Sequence, residues 1–191
     1  MRRRRMTRTF DPRPLAAGLL DSLLATSLRA PSAGFSQGTH LVVLEGDSLA
    51  AWWRDTVDPE WVERVGAGVG RAAALVIVLA DAGAYVERYN QPDKLAAGLV
   101  DEASWPVPFW LTDAAMVVQN LLLLVEANGL GALYYGLFGD EASLPALGVP
   151  DTMRPLGVVA IGHRAGEDVP SGSPNRRPRR PDGELIHRGH W

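Results

Sequence analysis

The segment Arg29-Ala30-Pro31-Ser32-Ala33-Gly34-Phe35-Ser36-Gln37 gathers proline, serine and glycine between two apolar stretches. A run of helically spaced leucines precedes it, and Leu41-Val42-Val43-Leu44 follows. Proline and glycine stop a helix there. They leave backbone N–H groups and hydroxyls open to a polar, planar ligand at the start of a strand. A plain helix-to-strand turn uses the same residues. Arginines cluster at both ends of the chain: Arg2, Arg3, Arg4, Arg5 and Arg8, then Arg176, Arg177, Arg179 and Arg180. Their guanidinium forks match phosphate oxygens. A solvated basic tail is the ordinary use of such a run.

The rest of the composition narrows the chemistry. The chain has 191 residues and reads as one domain, 1–191, large enough for a real core. Its formal net charge is −3, so the arginine ends are local exceptions that suit a small phosphate better than a nucleic acid. There is no cysteine, which excludes disulfides, thiolate metal sites and cysteine nucleophiles and agrees with a cytoplasmic setting. The four histidines, His40, His163, His187 and His190, lack metal-ligand spacing, so no metal is expected. No continuous apolar run reaches membrane-helix length, so no membrane association is expected. Asp11, Pro12, Arg13, Pro14 and Asp21 interrupt what would follow Arg2–Arg5 as a signal sequence.

The elements that must position these residues follow from periodicity. Leu15, Leu19, Leu20, Leu23, Leu24 and Leu28 predict an amphipathic helix over 14–28. Strands are expected over 40–45, 73–80, 132–135 and 156–161. The second of these is apolar throughout, as a strand buried on both faces should be. Asp47 or Ser48 should cap a short helix ending near Trp53, and Asp81 one over 82–89. Further short helices are expected over 59–69 and near 141–147. Residues 90–108 read as irregular. Residues 112–128 form the longest helix, apolar nearly all round and therefore central or covered by a partner chain. Asn128-Gly129 signals its end. The order implies a sheet with helices on both faces. The tail, 164–191, is rich in proline and arginine yet keeps Leu185, Ile186 and Trp191, as a docking segment would.

Together these segments resemble the FMN-dependent nitroreductase family. Arg4-Arg5-Met6-Thr7-Arg8-Thr9-Phe10 is similar to its Arg-Arg-Ser-x-Arg-x-Phe opening. Ala30-Pro31-Ser32-Ala33-Gly34-Phe35-Ser36-Gln37 resembles its Ala-Pro-Ser-x-x-Asn-x-Gln loop. Asn120-Leu121-Leu122-Leu123 with Gly129-Leu130-Gly131 looks like its central helix and following strand. Val158-Val159-Ala160-Ile161-Gly162-His163 resembles its last core strand, and Arg177-x-Arg179 its C-terminal basic pair. The resemblance implies an α+β nitroreductase-like fold with a central mixed β-sheet flanked by helices. It also implies a homodimer whose C-terminal tails embrace the partner subunit, with FMN at the interface and NAD(P)H as electron donor.

The same resemblance distributes roles. Arg4, Arg177 and Arg179 would hold the FMN phosphate, with Arg5 and Met6 in the same cofactor-binding segment. Arg8 would stand at the pyrimidine edge, where a cation stabilises reduced flavin. Pro31, Ser32, Ala33, Gly34 and Phe35 would cover the flavin from the other subunit. Tyr135-Gly136-Leu137 would aim a backbone N–H at flavin N5, Gly136 permitting close approach. Trp105, Phe109 and Trp110 would line the acceptor side or pack as part of a lid, with Tyr85, Tyr89 and Lys94 as weaker candidates. No side chain is needed as acid, base or nucleophile. The implied activity is ping-pong hydride transfer to nitroaromatic, quinone or related small electrophiles. The alternative is a flavin-binding module without NAD(P)H turnover, or one acting on reduced flavin. Three departures bear on the choice: Met6 stands at the family's serine, Phe35 at its asparagine, and residues 61–74 contain no asparagine or glutamine.

Overall fold

The computed structural model describes residues 4–58, 60–61, 67–137, 144–166 and 176–191. Nine regular elements organise them. They are β1 (Phe10–Asp11), α1 (Leu19–Ser27), β2 (Thr39–Leu44), α2 (Gly46–Asp55), β3 (Ala74–Ala80), α3 (Ala82–Tyr89), α4 (Phe109–Ala127), β4 (Gly131–Tyr135) and β5 (Arg154–Arg164).

β3 supplies the logic of the sheet. All seven of its residues are buried, so it must have strands on both sides and layers on both faces. β2 pairs with one edge and β5 with the other; β4 and β1 then pair with β5. All these ladders are antiparallel. The mixed character expected from the sequence is confined, among the described residues, to one parallel bridge between Met6 and Ala132.

The period of two along β3 and β5 sorts side chains into two cores. Ala74, Val76, Val78, Val159 and Ile161 face a layer of α1 and α4, packing with Leu20, Leu24, Ala114, Leu121 and Val125. Leu75, Ile77, Leu79, Val158 and Ala160 face the other way, toward Phe10, Leu49, Trp52 and Leu137.

Element ends differ from expectation where backbone chemistry intervenes. α1 begins only at Leu19, because Gly18 is left-handed at φ 71° and breaks continuity with Pro14. The N-cap residue of α2 is Glu45 rather than Asp47 or Ser48, and its N–H donates to Ser48 Oγ. α3 matches its expected span, with Asp81 accepting from the Ala84 N–H. α4 starts three residues early, at Phe109, with Pro108 as its N-cap residue. β5 runs on through Arg164, pairing with β1 beyond the expected end at 161. The helix expected over 59–69 lies largely outside the described residues; within it Glu60 and Trp61 are helical, and Ala67–Arg71 forms 3-10 turns. Of the helix expected over 141–147, the described part, Pro145–Leu147, is a single 3-10 turn.

By length and composition alone α4 is apolar enough to cross a membrane, although Asp113 and Glu126 interrupt its apolar run. Its buried side, including Ala114, Val118, Leu121 and Val125, packs on α1 and the sheet. The opposite side leaves Thr112, Ala115, Met116 and Gln119 exposed at helical spacing. In the described part of the tail, Leu185, Ile186 and Trp191 are exposed, Trp191 at 95%, so this segment does not dock on its own chain.

Candidate functional site

The loop after α1 is held at four points. The Ala33 N–H donates to Asp113 Oδ2 at 2.8 Å. Arg88 Nε donates to the Gly34 carbonyl at 2.9 Å, while the same guanidinium grips Asp93 through two further bonds. The Gln37 N–H donates to Ser32 Oγ at 3.0 Å, and Ser36 Oγ donates back to the Ala33 carbonyl at 2.7 Å. These bonds fix a 3-10 turn over Ala33–Phe35. Gly34 is required: its φ is 62°, and a Cβ there would lie 2.6 Å from the Tyr89 ring. Phe35 and Gln37 are also left-handed, at φ 59° and 54°. Asparagine takes that conformation far more readily than phenylalanine.

Asp113 is the hub of this arrangement. It is 3% exposed near the start of α4, and its Oδ2 also accepts from the Tyr85 hydroxyl at 2.8 Å. Burial, followed by the bond to Asp113 and its charge, pushes the Tyr85 phenol well above its ordinary pKa, so Tyr85 stays a donor. Among the described residues no lysine or arginine pairs with Asp113. The carboxylate forms part of a cleft of about 160 Å³ with Leu28, Ala30, Pro31, Ser32, Gln37, Thr39 and Val117.

The N-terminal arginines lie elsewhere. Arg4 and Arg5 line a shallow depression with Leu122, Val125, Glu126, Leu130 and Ala132, at the C-terminal end of α4. Glu126 is engaged by Arg164, which also reaches Thr7 Oγ1 at 3.3 Å. The segment between is pinned by the Thr7 N–H, which donates to the Ala132 carbonyl at 2.8 Å. Thr7 is fully buried against Gly131, where a Cβ would lie 2.6 Å from its Oγ1. Met6 is half-buried and packs on both cores, which explains an apolar side chain where a serine was expected. Arg8 is half-buried, and its carbonyl lies against Gly68.

Other expected residues separate by burial. Tyr135 and Gly136 are half-buried at the end of β4, and Trp61 packs against Tyr135 with ring centroids 4.8 Å apart. Leu137 is a core residue at 4% exposure. Trp105 and Trp110, expected to flank an acceptor, are each 7% exposed and pack edge-on against Tyr85 and each other. In this structure both rings are packed in the core. Phe109 keeps a free face at 39% exposure. Arg177 and Arg179 are exposed, and among the described residues neither makes an ion pair. Arg180 pairs with Glu184. Arg2 and Arg3 lie outside the described residues.

Sequence reasoning missed Asp113, Arg88 and Arg164 as positioning residues. A signal existed for the first: Asp113 and Glu126 are the only charged residues of α4. Each anchors one half of the site. They stand thirteen positions apart on the helix, about 20 Å along its axis. One chain therefore holds the loop half and the arginine half apart.

Comparison with known proteins agrees with this architecture. The model of the nitroreductase family matches residues 1–163, and the chain belongs to that family, a family of oxidoreductase enzymes. An NADH dehydrogenase of Thermus thermophilus is 27% identical over 187 residues, covering 88% of this chain and 87% of the relative. Nitroreductase CinD from Lactococcus lactis, solved with chloramphenicol, superposes with a TM-score of 0.77 at 18% identity, covering 97% of this chain and 95% of that one. A protein from Desulfovibrio desulfuricans described as a nitroreductase, solved in complex with FMN, superposes with a TM-score of 0.70 at 23% identity, covering 100% and 94%.

Proposed function

We propose that the protein is a homodimeric, FMN-dependent NAD(P)H oxidoreductase of the cytoplasm that reduces nitroaromatic, quinone or related electrophilic acceptors in turn. The observation that carries this reading is the separation of the two half-sites along α4. Arg4 and Arg5 at one end suit a phosphate, because Arg164 already neutralises the nearby Glu126. The stapled backbone of Pro31, Ser32, Ala33 and Gly34 at the other end suits the edge of a flat ring. A second copy, pairing through Thr112, Ala115, Met116 and Gln119, would bring one end against the other.

FMN, when bound, supplies the hydride-accepting and hydride-donating centre. The chain's own residues bind and orient it. Arg4, with Arg177 and Arg179 from the tail, would hold the phosphate, and Arg8 would supply positive charge at the pyrimidine edge. The Gly136 backbone would approach the ring, Leu137 anchoring that turn in the core. Phe109 would present its free edge to the acceptor. The absence of an amide over 61–74 leaves the pyrimidine edge to backbone groups and Arg8. The tail, with its exposed Leu185, Ile186 and Trp191, would embrace the partner subunit.

The test is direct. Purified full-length protein incubated with FMN should turn yellow, sediment as a dimer, and oxidise NAD(P)H when 1,4-benzoquinone is added. Arg4→Ala should weaken FMN binding about tenfold, the loss of one charge-assisted phosphate contact. Protein that stays colourless after FMN addition refutes the reading. Bound FMN without NAD(P)H oxidation would select the non-turnover alternative.

A further inference from the structure

Asp113 is a buried charge that its own chain does not neutralise. It is 3% exposed, and among the described residues no lysine or arginine pairs with it. The Ala33 N–H and the Tyr85 hydroxyl donate to its Oδ2 at 2.8 Å, and the Thr112 hydroxyl to its Oδ1 at 3.2 Å. Neutral donors solvate the charge without cancelling it. The helix end adds little, because its field fades beyond the first turn and Asp113 lies in the second turn of α4. A carboxylate buried in this way calls for a cation. Oδ1, with one long bond, has room to accept from it.

The carboxylate lines the cleft of about 160 Å³, so a cation can reach it from outside. Leu28, Pro31 and Val117 give that cleft apolar walls suited to a methylene stem, and Ser32, Gln37 and Thr39 add polar atoms for further N–H donors. An arginine side chain has this build. The opposite end of α4 holds arginines to spare. Glu126 there is already engaged by Arg164, and among the described residues Arg4 and Arg5 beside it make no ion pair. Arg4 is half-buried and Arg5 is exposed. The exposed stripe Thr112, Ala115, Met116 and Gln119 runs between the two ends. Two copies paired antiparallel through it, Thr112 against Gln119 and Ala115 against Met116, set Asp113 level with the partner's Val118. The partner's Leu122, which in each copy lines the Arg4–Arg5 depression, is then one helical turn away.

We propose that the partner subunit's Arg5 enters this cleft and pairs with Asp113, so that each subunit completes the loop site of the other. This rests on the homodimer of the reading above. Arg4 stays with the phosphate, and its exposed neighbour crosses to the second copy. A two-fold axis makes the contact twice.

Sedimentation of the flavin-free, full-length protein over a dilution series gives the dimer dissociation constant of wild type, Asp113→Asn, Arg5→Gln and the double variant. Each single substitution should raise it about a hundredfold, about tenfold for each of the two symmetric contacts. The double variant should be no weaker than either single one, because the second substitution removes a group that has already lost its partner. A second measurement does not depend on these energies. The chain contains no cysteine, so a cross-link can be placed without background. Arg5→Cys/Gln37→Cys treated with a short bismaleimide should give a covalent dimer on a denaturing gel, and neither single-cysteine variant should. Additive effects in the sedimentation cycle overturn the proposal, as does a double-cysteine variant that yields no covalent dimer. A wild type that sediments as a monomer at every concentration overturns the homodimer reading itself, and is seen before any variant is made.

Discussion

Asp113→Ala should lower the thermal midpoint by about 10 °C and abolish stable FMN uptake. The carboxylate is 3% exposed and satisfies the half-buried Ala33 N–H and the buried Tyr85 hydroxyl, each at 2.8 Å. Hydrogen bonds to a charged group contribute about 1.5–3 kcal/mol each, and a donor left orphaned costs about 1–3 kcal/mol. Against this, removing a buried charge without a cation relieves part of its desolvation cost. The balance is a loss of about 3 kcal/mol, and each kcal/mol moves the midpoint of a domain this size by about 2–4 °C. Asp113→Asn is the discriminating control. Both donors bond the same oxygen, so an amide oxygen can serve both; the charge assistance goes, together with the longer 3.2 Å bond that Thr112 Oγ1 donates to the other oxygen. Its cost should be about 1 kcal/mol. The Tyr85 phenol is raised by burial first and by Asp113 second. A raised acid pKa means the stabilisation is fully present below the unfolded value, about 10, and is lost as pH climbs past it. The difference between wild type and Asp113→Ala should therefore be flat between about pH 6 and 9. Calorimetry across that range checks both the size and the flatness; equal midpoints for the two proteins would remove Asp113 from its role.

The parts of the fold that were legible in the sequence are those whose pattern is local. β3 is an unbroken apolar run and had to be an interior strand. The span of α3 followed from Asp81 as cap and the apolar residues behind it. Element ends were less legible, because they are set by partners distant in sequence. β5 continues past 161 because β1 is there to pair with it, with Phe10 opposite Arg164 and Asp11 opposite His163. No pattern around 161–164 announces that partner. Gly18 truncates α1 because it sits left-handed, a state that a glycine among leucines does not reveal.

The site divided in the same way. The loop 30–37 and the N-terminal arginines were visible as unusual composition. Their positioning was not, because Asp113 lies 80 residues from Ala33 in sequence and Arg164 lies 157 from Thr7. Trp105 and Trp110 left two readings open for a related reason. An aromatic cluster beside an irregular segment has one composition whether it faces a ligand or a core. The structure adds what composition lacks: both rings pack on Tyr85, which is bonded to Asp113. Met6 illustrates the opposite case: its departure from the family pattern is explained by apolar packing on both cores, which no local pattern announces.

Gly131→Ala should cost about 1–3 kcal/mol of stability, the range for an overpacked interior, and should weaken FMN binding more than any single arginine substitution. An alanine Cβ at 131 would lie 2.6 Å from Thr7 Oγ1, 2.8 Å from Thr7 Cγ2 and 2.9 Å from Arg164 Cγ. None of these can yield cheaply. Thr7 is fully buried and its N–H is fixed to the Ala132 carbonyl, and Arg164 is held by Glu126. The strand has no freedom either, since Gly131 pairs with Gly162 in the ladder with β5. The clash must therefore move the segment that carries Arg4, Arg5 and Arg8, displacing several cationic groups at once. A second substitution isolates the cause. Thr7→Ala removes both threonine atoms nearest the new methyl, so the double variant Gly131→Ala/Thr7→Ala should recover part of the stability and of the FMN affinity lost in Gly131→Ala. The expected coupling is favourable and about 1 kcal/mol or more, as for residues in direct contact. Urea denaturation of the four flavin-free proteins measures the stability cycle, and FMN titration measures the binding cycle. Additive effects in both would mean that the glycine is not there to admit Thr7, and that the arginines are positioned by something other than this contact.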